Sequence, residues 1–166
     1  ATFKYHLRFN ENRKFHELNN VNFELSIDAK KIHKKFSGLN WITPEFKDKP
    51  QEEINLINQA QYILSKDPRK KMVVTNYSFF SAILEQKLFA PSRVFTSDGT
   101  THPLKGNKYE SEYKKLMDNL ITKNNISVIY FINMKPNFHY IDLYQHCFKE
   151  TTLVEKLKTY EIKDCI

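Results

Sequence analysis

"VVTNYSFFSAIL", Val73 to Leu84, is the stretch on which the fold turns. It opens on a short apolar run, breaks on Thr75-Asn76-Tyr77-Ser78, and resumes with Phe79, Phe80, Ile83 and Leu84 at helical spacing. Met72-Val73-Val74-Thr75 is continuously apolar up to its last residue, as expected of an interior parallel strand. A buried strand that hands over to a helix through four polar residues forms the carboxyl edge of an open α/β sheet, where ligands usually bind. The same Asn and Ser also suit a helix cap, which requires no ligand.

Working outward, Pro50-Gln51-Glu52-Glu53 starts a helix, with proline in the first turn and carboxylates where the helix dipole favours them. Ile54, Ile57, Ala60, Ile63 and Leu64 give that helix its buried face, and Asp67-Pro68 ends it. Downstream, Tyr109, Tyr113, Leu116, Met117, Leu120 and Ile121 follow the i, i+4, i+7, i+8 rule of an amphipathic helix. Val128 to Ile132 is a second fully buried strand. Val94-Phe95-Thr96 is expected as a further strand, followed by a polar loop. A helix from about Tyr140 to Cys147 and a last strand near Tyr160–Ile162 close the chain. Val21 to Ile27 alternates apolar and polar residues, the pattern of a half-exposed edge strand. Together these predict one α/β domain over residues 1–166: a three-layer, Rossmann-like fold whose sheet is mostly parallel, with right-handed crossovers and an N-terminal edge strand.

The chain has 166 residues, enough for one ordinary domain with a real core. It begins with Ala1 rather than Met, which is expected of a piece of a longer protein. No apolar run approaches the ~20 residues that span a bilayer. Lys and Arg number 26 against 19 Asp and Glu, a net charge of +7. A basic surface suits phosphates, whether of nucleic acid or of anionic lipid. The basic pairs (Lys30-Lys31, Lys34-Lys35, Arg69-Lys70-Lys71, Lys114-Lys115) are spread along the chain and form no arm, so no specific nucleic-acid partner is expected.

The motifs exclude several chemistries. With only three glycines, Gly38, Gly99 and Gly106, the chain has neither G-x-G-x-x-G nor a phosphate-cradling P-loop. Ser78 is not in a G-x-S-x-G elbow. His6, His16, His33, His102, His139 and His146 have no H-E-x-x-H or H-x-H grouping, so neither metal nor cofactor is expected. His102 and His139 fall near the carboxyl ends of expected strands and are candidate bases, but no nucleophile is paired with them. Asn76-Tyr77-Ser78 and Asn125-Ile126-Ser127 match the glycosylation acceptor pattern, yet each abuts a buried strand. What remains is a binding edge: Thr75, Asn76, Tyr77 and Ser78, beside Asn133 and Lys135, under a loop that carries Asp98 and His102. Such a polar cleft suits a sugar or a phosphate-bearing headgroup. Cys147 and Cys165 are a disulfide candidate that would pin the last segment in an oxidising compartment.

The order of motifs carries a resemblance. "GLNWITPEF", "EEINLINQAQYILSKDPRKKMVVTNYSFFSAIL", "APSRVFTSDGTTHP", "NKYESEYKKLMDNLITKNNISVIYFI" and a late "CF…DC" resemble the soluble tail of multi-spanning bacterial glycosyltransferases. These are similar to dolichyl-phosphate-mannose-protein mannosyltransferases and lipid A aminoarabinose transferases. The resemblance spans roughly Leu39 to Cys165. It implies an inner-membrane protein with this domain on the periplasmic side, attached to its own upstream transmembrane domain and facing an anionic membrane surface. It also implies a polyprenyl-phosphate sugar donor, a glycan acceptor, and an acidic residue as catalytic base in the first extracytoplasmic loop, which would lie upstream of Ala1. On that reading the chain has no catalytic residue and is inactive alone. A free-standing cytoplasmic transferase or hydrolase built on His102 or His139 is the alternative, and a basic nucleic-acid-binding module is a second.

Overall fold

The computed structural model describes residues 20–96, 99–134 and 139–163. The chain divides into two compact units, Ala1–Asn58 and Gln59–Ile166.

In the first unit a 3-10 turn, Phe23–Leu25, is capped by the Asn22 side chain, which accepts from the Glu24 N–H. It leads into β1 (Ile27–Asp28), which pairs antiparallel with β2 (Asn40–Trp41) in a two-stranded sheet. Between them lie two more 3-10 turns, Ala29–Lys31 and Lys34–Phe36, capped by Asp28 and His33. Gly38, at φ +86°, then turns the chain back into β2, a conformation that costs glycine nothing. Helix α1 (Pro50–Lys66) begins here with Glu52 and Glu53 in its first turn. Glu53 is 1% exposed and accepts from Trp41 Nε1 at 2.9 Å and from Thr43 Oγ1 at 2.8 Å. Its carboxylate therefore anchors the stretch after β2 as well as suiting the helix dipole.

The second unit is built on a four-stranded mixed sheet of order β3-β4-β6-β5. Strand β3 (Lys71–Val74) runs parallel to β4 (Val128–Ile132), with Met72 opposite Ile129 and Val73 opposite Tyr130. On the other side of β3, Val73 N–H donates to Phe89 O at 2.7 Å and Phe89 N–H donates to Lys71 O at 3.1 Å, a one-residue parallel bridge. Strands β5 (Phe148–Val154) and β6 (Leu157–Ile162) form a hairpin, and β6 pairs antiparallel with β4. Helices α2 (Phe80–Leu84), α3 (Glu110–Asn124) and α4 (His139–Leu143) complete the unit. Alternation along the strands puts Met72, Val74, Ile129, Phe131, Phe148 and Tyr160 on one face. That face packs with Met117 and Ile121 of α3 and with Tyr140 and Ile141 of α4. Helix α3 stops at Asn125, whose left-handed φ of 51° lets its N–H return to the carbonyls of Ile121 and Thr122.

The mostly parallel, three-layer Rossmann-like sheet expected from the sequence is not the fold. Among the named strands of the described residues one pair is parallel, β3–β4, and the rest are antiparallel. Three local choices account for the difference. Phe148–Val154 carries almost no buried side chain, so its strand has no apolar run, and the two-residue turn at Glu155-Lys156, with Lys156 at φ 63°, returns the chain antiparallel. Val94-Phe95-Thr96 forms no strand, and Phe95 N–H donates to Thr75 O, just past β3, at 3.3 Å. The alternating Val21–Ile27 stretch becomes a 3-10 turn and the start of β1, which pairs with β2 alone, so the expected edge strand is not in the large sheet. The helix expected to reach Cys147 ends at Leu143, followed by a 3-10 turn, Gln145–Cys147.

Candidate functional site

Beyond Val74 the chain leaves the sheet at Thr75, whose Oγ1 accepts from Tyr77 N–H at 3.2 Å and so tightens the turn. Tyr77 is pulled under the edge to 6% exposure, with its ring 5.7 Å from that of Phe79 and edge-on to Phe80 at 6.1 Å. Its hydroxyl accepts from Asn133 Nδ2 at 3.1 Å. Asn133 sits just past β4 at φ 53°, and its N–H donates to Lys156 O at 2.8 Å. One hydrogen-bonded line thus joins the carboxyl ends of both parallel strands to the β5–β6 turn.

Above this line is a cavity of about 140 Å³. Val73, Phe80 and Phe89 supply much of its apolar wall, and the hydroxyl-bearing residues Thr75, Tyr77, Ser78, Ser81 and Ser92 also line it. Arg93, an exposed residue, is the one cation among its lining residues, and no carboxylate among the described residues is paired with it. Aromatic and aliphatic walls with hydroxyl-bearing residues suit a sugar ring, and a guanidinium suits a phosphate or carboxylate on it.

The structure gathers part of the expected edge and disperses the rest. Thr75, Tyr77 and Ser78 line the cavity, and Asn133 is tied to it through Tyr77. Asn76 is exposed and is not part of the lining. Asp98 and Lys135 lie outside the described residues. His102 is 4% exposed and stacks on Phe95 at 4.4 Å with only 11° between the rings, so it belongs to the packing. His139 is engaged at both nitrogens: Nε2 lies 2.5 Å from Glu110 Oε1, and Nδ1 lies 3.6 Å from Asp142 Oδ2. Neither histidine lines the cavity. Ser81, Ser92 and Arg93 were not anticipated. The signal for the last two was "APSRVF", in which Pro91 and Ser92 break the chain just after the Phe89 bridge and return it across the end of β3.

Two polar networks elsewhere in this unit are structural. Asp118 on α3 accepts from Tyr140 Oη at 2.8 Å, Tyr144 Oη at 2.9 Å and Lys114 Nζ at 2.9 Å, clasping α4 to α3. Burial opposes the Asp118 charge, but the bonds from Lys114, Tyr140 and Tyr144 outweigh it and hold the carboxyl below its usual value. At the opposite end of β3, Asp67 accepts from Tyr130 Oη at 2.5 Å and from Arg69, whose Nη1 reaches Glu161 at 3.0 Å. No group of three or more His, Cys, Asp or Glu among the described residues is placed to hold a metal. Cys147 is wholly buried and disulfide-bonded, and Cys165 lies outside the described residues.

No family model, curated protein or solved structure matches the chain. The cavity therefore has to be interpreted from its own chemistry.

Proposed function

We propose that the chain is an extracytoplasmic domain of an integral membrane glycosyltransferase using a polyprenyl-phosphate sugar donor, and that its cavity holds a sugar of the acceptor. The observation that carries this reading is the cavity at the end of β3, where hydroxyls and Arg93 meet an aromatic wall. The order of motifs from Leu39 to Cys165 supports the family, and the disulfide at Cys147 supports an oxidising compartment. On this reading the domain positions substrate and leaves the chemistry to the membrane portion. No helix of the described residues is long and apolar enough to cross a membrane.

The test is made in the full membrane protein. Arg93→Ala removes a charged hydrogen-bonding partner and raises the KM for acceptor about tenfold or more, with kcat nearly unchanged. Transfer that is unaffected by Arg93→Ala and by deletion of the whole domain would overturn the proposal.

A further inference from the structure

The first unit carries a surface that the cavity does not use. Phe23 and Leu39 are each 58% exposed and Leu25 is 44% exposed, all within one short span of chain. Leu39 is held between the two 3-10 turns: its N–H donates to Phe36 O at 3.1 Å, and its O accepts from Ala29 N–H at 2.9 Å. Those turns place Lys30, Lys31, Lys34 and Lys35 on the surface around it. No carboxylate among the described residues pairs with Lys30, Lys31 or Lys34. Of the two acids between Phe23 and Leu39, Asp28 is engaged as a cap by the Lys30 N–H at 2.8 Å and Glu24 is exposed, against four lysines. Leu25 precedes Ala29 by four residues, which limits their separation to about 14 Å. The patch thus sets large apolar side chains beside the lysines of the two turns, of which Lys30, Lys31 and Lys34 have no carboxylate partner among the described residues.

We infer that this surface docks onto a bilayer containing anionic phospholipid, with Phe23, Leu25 and Leu39 entering the headgroup layer and the lysines lying against lipid phosphates. Three large apolar side chains and four lysines within one short span are complementary to a membrane surface. A shallow interface that is apolar below and anionic at its plane satisfies both. Stems of the lysines lie along the apolar residues while their charges stay wet. The inference rests on the extracytoplasmic reading only for which membrane is involved; the contact itself needs no transferase activity.

The test is co-sedimentation of the 166-residue chain with vesicles of phosphatidylcholine and phosphatidylglycerol, against vesicles of phosphatidylcholine alone. Binding is expected to the anionic vesicles and to weaken with salt. A lysine near an anionic surface is worth about fivefold in partitioning, so Lys30→Ser, Lys31→Ser and Lys34→Ser together lower it about a hundredfold. Leu39→Ser with Phe23→Ser lowers it about tenfold even at high salt, where the lysine effect has gone. All five positions are exposed, so these variants fold, and unchanged circular dichroism verifies it. Equal binding to both vesicle types, no binding, or unaltered binding by both variants overturns the inference. So does a chain that ignores vesicles but is retained by an oligonucleotide through the same lysines. Loss of transfer in the Arg93 variant with vesicle binding intact, or the reverse, separates this inference from the cavity reading.

Discussion

Asp67→Asn tests the account of the second unit most directly. The Asp67 side chain is 9% exposed and accepts from Arg69 Nε, Arg69 Nη2 and Tyr130 Oη, while its backbone carbonyl accepts from Lys71 Nζ at 2.6 Å. Burial alone would raise its pKa; the bonds from Arg69 and Tyr130 and the Arg69 charge win, and the carboxyl is held at about 2, against an ordinary 3.8. A depressed carboxyl contributes stability that is complete above its unfolded value and disappears as the pH falls through its folded value. The difference corresponds to about 2 kcal/mol at neutral pH, with about a sixth of it left at pH 2. Asp67→Asn keeps the shape but removes the charge, so it lowers stability by about 2 kcal/mol at pH 7 and by far less near pH 2. Urea unfolding followed by far-ultraviolet circular dichroism, for both proteins across that range, measures the gap. The other acids titrate alike in both proteins and cancel. A gap that stays constant from pH 7 to pH 2 would refute the assignment of the Asp67 charge to this network.

Three further outcomes are expected. Cys147→Ala costs about 2–4 kcal/mol, and reductant, which lowers the melting temperature of the native chain, has no further effect on the variant. Glu53→Ala leaves the Trp41 Nε1 and Thr43 Oγ1 donors without their acceptor and costs about 2–3 kcal/mol, whereas Glu53→Gln, which retains an oxygen, costs less than half of that; the fluorescence of Trp41, the chain's one tryptophan, follows both. Asn125→Ala destabilises by about 1 kcal/mol and Asn125→Gly does not, because the left-handed φ of 51° is open to glycine and strained for alanine; thermal melts of the two variants distinguish them.

The elements legible in the sequence were those whose burial is dense. Val73-Val74 and Val128–Ile132 are buried at every position; the helix read from Tyr109 to Ile121 is α3, which buries Met117 and Ile121 but leaves Tyr109 and Leu116 of the expected stripe exposed. Pro50 with Glu52 and Glu53 marked the start of α1 where it lies. The sheet's direction was not legible, because it was decided by β5. That strand reads Phe-Lys-Glu-Thr-Thr-Leu-Val and is mostly exposed, and its pairing depends on the hairpin and on bonds such as Lys158 to Glu150 rather than on hydrophobic pattern. Alternation misled at Val21–Ile27, where Phe23 and Leu25 alternate with polar residues but face solvent. For the site, position in the chain was informative and residue type was not. The end of β3 is a cavity wall because Thr75, Tyr77 and Ser78 follow a buried parallel strand, whereas His102 drew notice for its chemistry and is packed against Phe95. For Arg93 the one local signal was the chain break at Pro91-Ser92, which takes the chain past Phe89 to the cavity.

The placement of β6 between β4 and β5 bears on how this protein is made. A chain emerging from the ribosome, or threaded through a translocation channel, delivers β3, β4 and β5 before it delivers Leu157–Ile162. Until that last segment arrives, β4 has one open edge, and β5 has no partner within the sheet. Val128 to Ile132, each fully buried once the sheet is complete, are then presented to whatever binds extended apolar segments. Closure of the sheet thus waits for Leu157–Ile162, and a nascent chain stalled short of residue 157 is a substrate for chaperones and proteases.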